Sequence, residues 1–219
     1  MMVDGAEAVW AVVLAAGTSS RLGRPKQLLD LAGEPVLDHV LRAAAMSRVA
    51  GTVLVLGDQA EVIGSVIGDF GQITIVNPDY SEGQSTSLRA GIAALPATAS
   101  GALILLGDQP LVPTSLIDRL VDCFETSGVR DRFVQTRYGG VPAPPVLIGQ
   151  GWFEAVERIT GDQGARELIS EHQDLVSVVE SDQHRPFDID TEEDYRALLA
   201  QTASSKPTRA VNMGPNRTP

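Results

Sequence analysis

The 219-residue chain has one cysteine, two lysines and no long apolar run. A single cysteine, Cys123, excludes an internal disulfide and a cysteine-rich metal site, and it fits a reducing compartment. The first ten residues lack the basic stretch of a signal peptide, and no segment has the length and apolarity of a membrane span. We therefore expect a cytoplasmic protein that does not act at a membrane.

Positive charge is also scarce, because 17 Lys and Arg face 28 Asp and Glu. Such a chain repels phosphate backbones, so nucleic acid is not an expected partner. The three histidines lie far apart, at spacings that do not resemble a zinc site. Residues 1–200 carry all 28 acidic residues but only 14 of the basic ones, with Lys26 as their single lysine. A local cluster of cationic side chains in this acidic chain would therefore indicate a binding site for a small anion.

Apolar segments alternate with amphipathic helical patterns along the first 130 residues. This alternation predicts an α/β fold of three layers, in which a mostly parallel sheet has helices on both faces. The predicted strands are 9–14, 52–56, 73–76 and 102–106, and the predicted helices are 35–48, 61–67, 85–95 and 114–124.

The pattern changes after residue 130. A Gly- and Pro-rich loop is predicted at 138–144. We expect one domain over residues 1–200 and a polar, flexible tail over 201–219. The predicted strands of this part are 132–135, 145–148 and 175–179, and the predicted helices are 152–159, 165–171 and one that begins near Thr191.

The loop at residues 14–26, called the first loop below, has the composition of an anion site. It follows the first predicted strand, at the carboxyl edge where open α/β sheets bind ligands. Small residues allow backbone N–H groups to approach a phosphate, and hydroxyl and cationic side chains follow them. The spacings of a P-loop ATPase and of a dinucleotide-dependent dehydrogenase are both absent. Composition alone also fits a solvated surface loop, and the position at the strand end favours a function.

Two further segments supply carboxylates. Asp108 follows a buried strand, and Mg²⁺ is commonly bound by one or two carboxylates together with waters and phosphate oxygens. Asp188 and Asp190 are separated by one residue on an extended segment, so both can approach one cation. The alternative is that Asp108 caps a turn and that the later acids cap the last helix. For residues 192–194 we favour capping.

Two polar stretches are weaker candidates for ligand contacts. Residues 77–83, followed by a helix that opens at 85–89, are expected next to the first loop. Residues 161–166 begin another helix, where Arg166 is a candidate contact for an anion. Both stretches also fit ordinary loop chemistry.

Together these motifs resemble the MobA-like nucleotidyltransferases over roughly residues 9–200. The first loop reads Leu-Ala-Ala-Gly-x-Ser-x-Arg-x-Gly-x-x-Lys, and its Leu-Ala-Ala-Gly is similar to the cytidylyl branch of the family rather than the guanylyl branch. The other matching motifs are Asn-Pro at 77–78, Ser-Leu at 87–88, Gly-Asp-Gln-Pro at 107–110, Gly-Asp-Gln-Gly-Ala-Arg at 161–166 and Asp-Ile-Asp-Thr at 188–191.

The resemblance implies a Rossmann-like nucleotidyltransferase fold, in which residues up to about 112 bind nucleotide and the remainder binds the acceptor. It implies that Mg²⁺ assists the phosphate of a molybdopterin acceptor to attack the α-phosphate of CTP, releasing pyrophosphate. A molybdoenzyme apoprotein is a further candidate partner. The implied catalytic residues are Arg21, Lys26 and Asp108, and the implied metal ligands are Asp108, Asp188 and Asp190. The implied nucleotide-binding residues are Leu14, Ala15, Ala16, Gly17, Ser19, Arg21, Lys26, Asn77, Ser87 and Gly107.

Two departures from the family pattern bear on the substrates. Ala143-Pro144-Pro145 stands where Gly-His-Pro is common, in a segment that bears on the acceptor pocket. Glu192 replaces the Pro that usually follows Asp-x-Asp-Thr. Three alternatives stay open: another nucleotide such as GTP, another phosphorylated acceptor, and a non-catalytic maturation chaperone that binds the cofactor.

Overall fold

The computed structural model describes residues 8–161, 165–186 and 188–204. The strands are β1 (Ala8–Ala15), β2 (Asp30–Leu31), β3 (Glu34–Pro35), β4 (Thr52–Leu56), β5 (Ile73–Val76), β6 (Ala99–Leu106), β7 (Phe133–Tyr138), β8 (Val141–Gly149) and β9 (Val176–Ser181). The helices are α1 (Val36–Ala45), α2 (Ala60–Val66), α3 (Gln84–Ala93), α4 (Thr114–Ser127), α5 (Phe153–Val156), α6 (Arg166–Glu171) and α7 (Glu192–Ser204).

Seven of these strands form one sheet, in the order β5-β4-β1-β6-β8-β7-β9. Strand β1 pairs in parallel with β4 and β6, β4 pairs in parallel with β5, and β7 pairs in parallel with β9. Only β8 is antiparallel to its neighbours within this sheet. The parallel half brings the carboxyl ends of β1, β4, β5 and β6 to one edge, as the sequence predicted.

Helices cover both faces of the sheet, which confirms the three-layer α/β fold. On one face, α1 and α4 contribute buried side chains such as Leu37 and Leu120. On the other face, α3 and α6 contribute Leu88 and Ile169. Every residue of β4 is buried between these layers, and this explains why the predicted strands are continuously apolar rather than alternating.

The predicted loop at 138–144 is wrong, because most of it forms a β-hairpin. Gly139 and Gly140 both have positive φ, 57° and 80°, as a two-residue turn between right-twisted strands requires. The prolines of β8 suggested a loop because proline cannot donate a ladder hydrogen bond. They are tolerated here because β6 pairs with β8 only along residues 146–149, so the proline-rich part has no partner on that side.

The end of the chain packs against a small hairpin near its beginning. Ile189 and Leu198 are buried with Leu29 and Leu31, which flank and form part of the β2–β3 hairpin. Helix α7 continues through Ser204, so residues 201–204 are helical and do not belong to the predicted flexible tail. The rest of that tail, 205–219, lies outside the described residues. Within the described ranges, no helix is long and apolar enough to cross a membrane.

Candidate nucleotide and metal site

The first loop is held in shape by Ser19. The backbone N–H groups of Leu22 and Gly23 donate to the Ser19 carbonyl oxygen at 3.0 and 3.2 Å. The backbone N–H of Lys26 donates to Ser19 Oγ at 3.1 Å. Ser19 itself has a left-handed φ of 51°. Its polar atoms therefore shape the turn that presents Arg21 and Lys26, and its contact with nucleotide stays a prediction.

Small residues let the strand ends approach closely at the base of the first loop. A Cβ on Gly107 would lie 2.8 Å from Ala15 Cβ, and a Cβ on Gly57 would lie 2.7 Å from the Ala16 carbonyl oxygen. The Gly107 N–H also donates to the Leu14 carbonyl at 2.9 Å. Gly17 differs, because it is exposed and a Cβ there would meet nothing within 4 Å. The space beside Gly17 is therefore open, and a phosphate has room to approach the first loop there.

Lys26 joins the three parts of the predicted site. Its Nζ lies 2.5 Å from Asp108 Oδ2 and 3.1 Å from Asp190 Oδ1. Asp108 follows β6, whereas Asp190 precedes α7, so the two carboxylates come from segments more than 80 residues apart. Arg21 adds a second cation, with Nη1 3.3 Å from Asp190 Oδ2. The structure thus brings together all three residues predicted to be catalytic.

The charges of Lys26 and Asp108 depend on each other. Burial lowers the pKa of Lys26, but attraction and hydrogen bonds to Asp108 and Asp190 outweigh burial and hold that pKa above its usual value. Burial raises the pKa of Asp108, against the opposing effect of Lys26. The buried carboxylate is therefore the less favourable charge of the pair. Additional positive charge from a divalent cation would stabilise it.

Asp188 binds a different partner. Gln109 Nε2 donates to Asp188 Oδ1 at 2.9 Å, although Asp188 is near enough for its charge to raise the pKa of Asp108 further. Across residues 8–161, 165–186 and 188–204, no three acidic, histidine or cysteine side chains are arranged to hold a metal ion. The donor set instead fits a site of two carboxylates, Asp108 and Asp190, which share one ammonium group. Mg²⁺ suits such a site because waters and phosphate oxygens complete its coordination.

Two predicted nucleotide contacts, Asn77 and Ser87, brace the start of α3. The Asn77 amide donates to Thr86 Oγ1 at 2.8 Å and to Ser87 Oγ at 3.0 Å. Asn77 Oδ1 accepts a hydrogen bond from the Asp79 N–H at 3.0 Å. All three side chains of this brace are buried. Their structural role is clear, and direct contact with nucleotide stays a prediction.

The start of α7 is tied to the first loop. Thr191 Oγ1 accepts from the Asp194 N–H, and Asp194 Oδ2 accepts from the Thr191 N–H at 2.8 Å. This reciprocal pair confirms that Asp194 caps the last helix, which begins near Thr191 as predicted. Glu192, by contrast, does more than favour the helix start. Its carboxylate lies 2.6 Å from Arg24, so the residue that replaces the family proline holds the first loop against α7.

A cavity of about 890 Å³ opens beside Asp188 and Gln109. It lies between α3, α6 and the β7–β8 hairpin, and the departure from the family pattern at 143–144 forms part of its wall. Sequence reasoning missed several of its residues, because they are isolated polar positions outside any motif. The lining includes the apolar residues Leu88, Ile104, Val146 and Ile169 and the polar residues Gln84, Gln135, Gln173, Arg166 and Arg185.

Comparison with known proteins shows relatives over nearly the whole chain. Nicotine blue oxidoreductase from Paenarthrobacter nicotinovorans is 31% identical over 87% of this chain and 96% of its own length. Rv0371c from Mycobacterium tuberculosis H37Rv superposes with a TM-score of 0.82 at 32% identity, over 89% of this chain and 98% of that one. The structure of its manganese complex has a TM-score of 0.76 at 29% identity, over 89% and 99% of the two chains.

A family model gives the same result. The model of the MobA-like NTP transferase domain matches residues 11–176, which include the first loop, Lys26 and Asp108. The fold and the convergence on Lys26 agree with that match. The chain belongs to the MobA-like NTP transferase family.

Proposed function

We propose that the chain transfers CMP from CTP to the phosphate of a molybdopterin-type acceptor, with Mg²⁺ bound and pyrophosphate released. The observation that carries the proposal is the contact of Lys26 with Asp108 and Asp190 beside a loop of small residues. This arrangement places cations for a triphosphate next to carboxylates for a metal ion, in a family of NTP transferases.

In the proposed reaction, an oxygen of the acceptor phosphate forms a bond to the α-phosphorus of CTP. The bond from that phosphorus to the oxygen bridging the β-phosphorus breaks, and pyrophosphate leaves with the electron pair. The attacking phosphate is already anionic, so the chain need not supply a general base. Its main tasks are to position two anions and to stabilise the charge on the α-phosphate.

The residues divide these tasks between them. Asp108 and Asp190 would hold Mg²⁺, and Arg21 and Lys26 would contact the triphosphate. When bound, the metal ion stabilises negative charge on the phosphate oxygens. The related protein solved with manganese supports binding of a divalent cation at this fold. The exposed backbone of Gly17 leaves room for the phosphates to approach the first loop.

The choice of CTP rests on Leu-Ala-Ala-Gly at 14–17, and the choice of acceptor rests on the family resemblance. The cavity beside Asp188 supports a bulky organic acceptor, because it combines apolar walls with amide and guanidinium groups. GTP as donor and a different phosphorylated acceptor are the same-fold alternatives.

Pyrophosphate release tests the proposal. Purified chain with Mg²⁺ is given each of the four NTPs in turn, with and without molybdopterin, and we expect release only with CTP and acceptor together. Lys26→Ala controls for contaminating enzymes and should lower the rate by about 10²- to 10³-fold. If GTP is the only nucleotide that releases pyrophosphate in the presence of the acceptor, the donor is GTP rather than CTP. If none of the four NTPs releases pyrophosphate in the presence of the acceptor, the result contradicts nucleotidyl transfer.

Two additional measurements separate other functions. A maturation chaperone would bind molybdopterin without releasing pyrophosphate. In that case Asp108→Asn would leave the affinity for molybdopterin unchanged. Because one relative is called an oxidoreductase, oxidation of reduced nicotinamide cofactors should be followed in the same mixtures. We expect none, since the sequence lacks the Gly-x-Gly-x-x-Gly loop of dinucleotide-dependent dehydrogenases.

A further inference from the structure

Two guanidinium groups line the cavity beside the proposed metal ligands. Arg166 is the first residue of α6, and Arg185 lies between β9 and Asp188. Neither guanidinium group forms a hydrogen bond or an ion pair with the described part of the chain, whereas those of Arg21, Arg24 and Arg42 each pair with a carboxylate. Among the described residues that line the cavity, the only acidic one is Asp188, which accepts a hydrogen bond from Gln109.

These two arginines place positive charge at one cavity of an acidic chain. Residues 1–200 hold 28 acidic residues and 14 basic ones. Two cations that line one cavity and have no carboxylate partner within residues 8–161, 165–186 and 188–204 raise the local potential there. A concave site with that potential attracts anions.

The proposed reaction needs positive charge in the cavity beside the proposed metal ligands. A triphosphate and an acceptor phosphate repel each other, and the chain must hold both. Lys26 and Arg21 belong to the triphosphate side and already contact Asp190. The acceptor phosphate therefore requires cations of its own, placed between the cavity and the metal ligands.

Arg185 is near enough to serve that phosphate. It precedes Asp188 by three residues, and a chain spans at most about 3.6 Å per residue, so their Cα atoms lie within roughly 11 Å. A guanidinium group extends several ångströms beyond its own Cα. Arg166 lines the same cavity from α6, so both side chains border the space that an anion in this cavity would occupy.

We propose that Arg166 and Arg185 form the subsite that binds the acceptor phosphate. The inference rests on the proposed function and specifies the acceptor as a phosphomonoester on a flat, largely apolar body. The apolar walls Leu88, Ile104 and Ile169 contact the body of the acceptor, and the paired arginines bind its phosphate by charge-assisted hydrogen bonds.

The first test uses two dyes and needs no knowledge of the acceptor. 8-Anilinonaphthalene-1-sulfonate is a flat aromatic anion, and N-phenyl-1-naphthylamine has the same rings without the sulfonate. Fluorescence titration of the full chain should show the sulfonate binding at least about tenfold more tightly. Arg166→Gln and Arg185→Gln should each weaken sulfonate binding severalfold and leave the neutral dye unchanged.

Arg158→Gln is the matched control, because it removes the same charge from an exposed arginine that pairs with Glu154 outside the cavity. It should bind both dyes like the unaltered chain. Arg185→Lys keeps the charge and should retain most of the sulfonate affinity. Equal affinity for the two dyes, or an equal loss in Arg158→Gln and the cavity variants, would overturn the subsite.

The second test uses turnover with the acceptor found by pyrophosphate release. Arg166→Gln and Arg185→Gln should raise the KM for the acceptor about tenfold or more and leave the KM for the nucleotide unchanged. A matching rise in the nucleotide KM would overturn the assignment to the acceptor. If the dye results hold but no acceptor releases pyrophosphate, the anion subsite stands and the proposed function fails.

Discussion

Asp108 places a negative charge where the fold would prefer a neutral group. Burial raises its pKa above 3.8, its ordinary value, so the folded state favours the protonated form more than the unfolded state does. By linkage, stability declines as pH rises from that value through the folded pKa, and it stays lower at neutral pH. The charged form of Asp108 therefore lowers the stability of the fold at neutral pH.

Replacing Asp108 with Asn should separate activity from stability. We expect Asp108→Asn to lower turnover by about 10³-fold, because the neutral amide is a poor metal ligand. Its Tm at pH 7.5 should equal or exceed that of the unaltered chain, because the amide avoids the cost of a buried charge. Differential scanning calorimetry and pyrophosphate release measure the two effects.

Asp174→Asn is the control for that experiment, since Asp174 is exposed and lies on the short turn before β9. Asp174→Asn should change neither the turnover nor the Tm. A marked fall in Tm for Asp108→Asn would mean that its ion pair with Lys26 stabilises the fold more than burial of the carboxylate destabilises it.

Lys26 contacts both Asp108 and Asp190, the two carboxylates that we propose as metal ligands. Without Lys26, Asp108 and Asp190 would face each other with less compensation, and like charges so placed bind a cation more strongly. We expect Lys26→Gln to tighten Mn²⁺ binding in the absence of nucleotide by about three- to tenfold. Electron paramagnetic resonance of free Mn²⁺ measures that affinity directly.

Arg24→Gln is the matched variant, because it removes one positive charge from the same loop without touching the carboxylates. Arg24 pairs with Glu192 instead. Its effect on Mn²⁺ affinity should be small. Unchanged or weaker Mn²⁺ binding in Lys26→Gln would show that Lys26 and the metal ion do not compete for the same oxygens.

The sequence predicted a site that contains Lys26, Asp108 and Asp190, because each belongs to a motif at a predicted strand or helix end, and the structure brings the three side chains into contact. It did not separate Asp188 from Asp190, since spacing along an extended segment places both on one side. The two aspartates have different partners because Gln109, 79 residues earlier in the sequence, donates a hydrogen bond to Asp188. Such a pairing depends on how the segments meet in three dimensions, and no local pattern encodes it.

Among the elements, the β7–β8 hairpin was the hardest to predict. The composition of this segment, with its prolines and paired glycines, indicates a loop. In the structure the glycines form a tight turn, and the prolines lie in the part of β8 that does not pair with β6. The parallel strands β4 and β5 were predicted with their observed bounds, because a continuous apolar run between helices has few other solutions.

The turn of this hairpin gives a test at the scale of the element. Gly140 has a φ of 80°, which a residue with a Cβ adopts only with strain. Gly140→Ala should therefore lower the free energy of unfolding by about 1–2 kcal/mol. Gly64→Ala, in helix α2 with open space around its Cβ, should raise it by about 0.5–1 kcal/mol. Urea denaturation measures both.

Opposite signs for the two glycine substitutions would confirm that backbone conformation, rather than side-chain contacts, decides each effect. Neither added methyl group has a neighbouring atom within 4 Å, so steric clashes do not contribute to the difference between the two variants. A stabilising effect of Gly140→Ala would contradict the positive φ of this turn.

For the whole molecule, the candidate site depends on contact between the two ends of the described chain. Helix α7 packs on the β2–β3 hairpin, and this packing places Asp190 and Glu192 near Lys26 and Arg24. The Tyr195 hydroxyl donates to the Asp30 carbonyl at 2.6 Å, and the Arg24 guanidinium lies 5.7 Å from the centre of the Tyr195 ring. We therefore expect packing away from the proposed metal ligands to position one of them, Asp190.

Leu198 and Leu199 test this dependence within one helix. Leu198 is 2% exposed and packs in the cluster with Ile189 and Leu31, whereas Leu199 is 37% exposed. Leu198→Ala should lower the free energy of unfolding by about 2–4 kcal/mol, and Leu199→Ala by less than about 1 kcal/mol. Chemical denaturation followed by circular dichroism measures both.

The same pair of variants should differ in Mn²⁺ affinity at a temperature where both are folded. Loosening α7 lets Asp190 move away from Asp108, so Leu198→Ala should bind Mn²⁺ more weakly, whereas Leu199→Ala should match the unaltered chain. Equal Mn²⁺ affinity in the two variants, despite a large difference in stability, would show that Asp190 is positioned by its contacts with Arg21 and Lys26 rather than by packing of the helix that follows it.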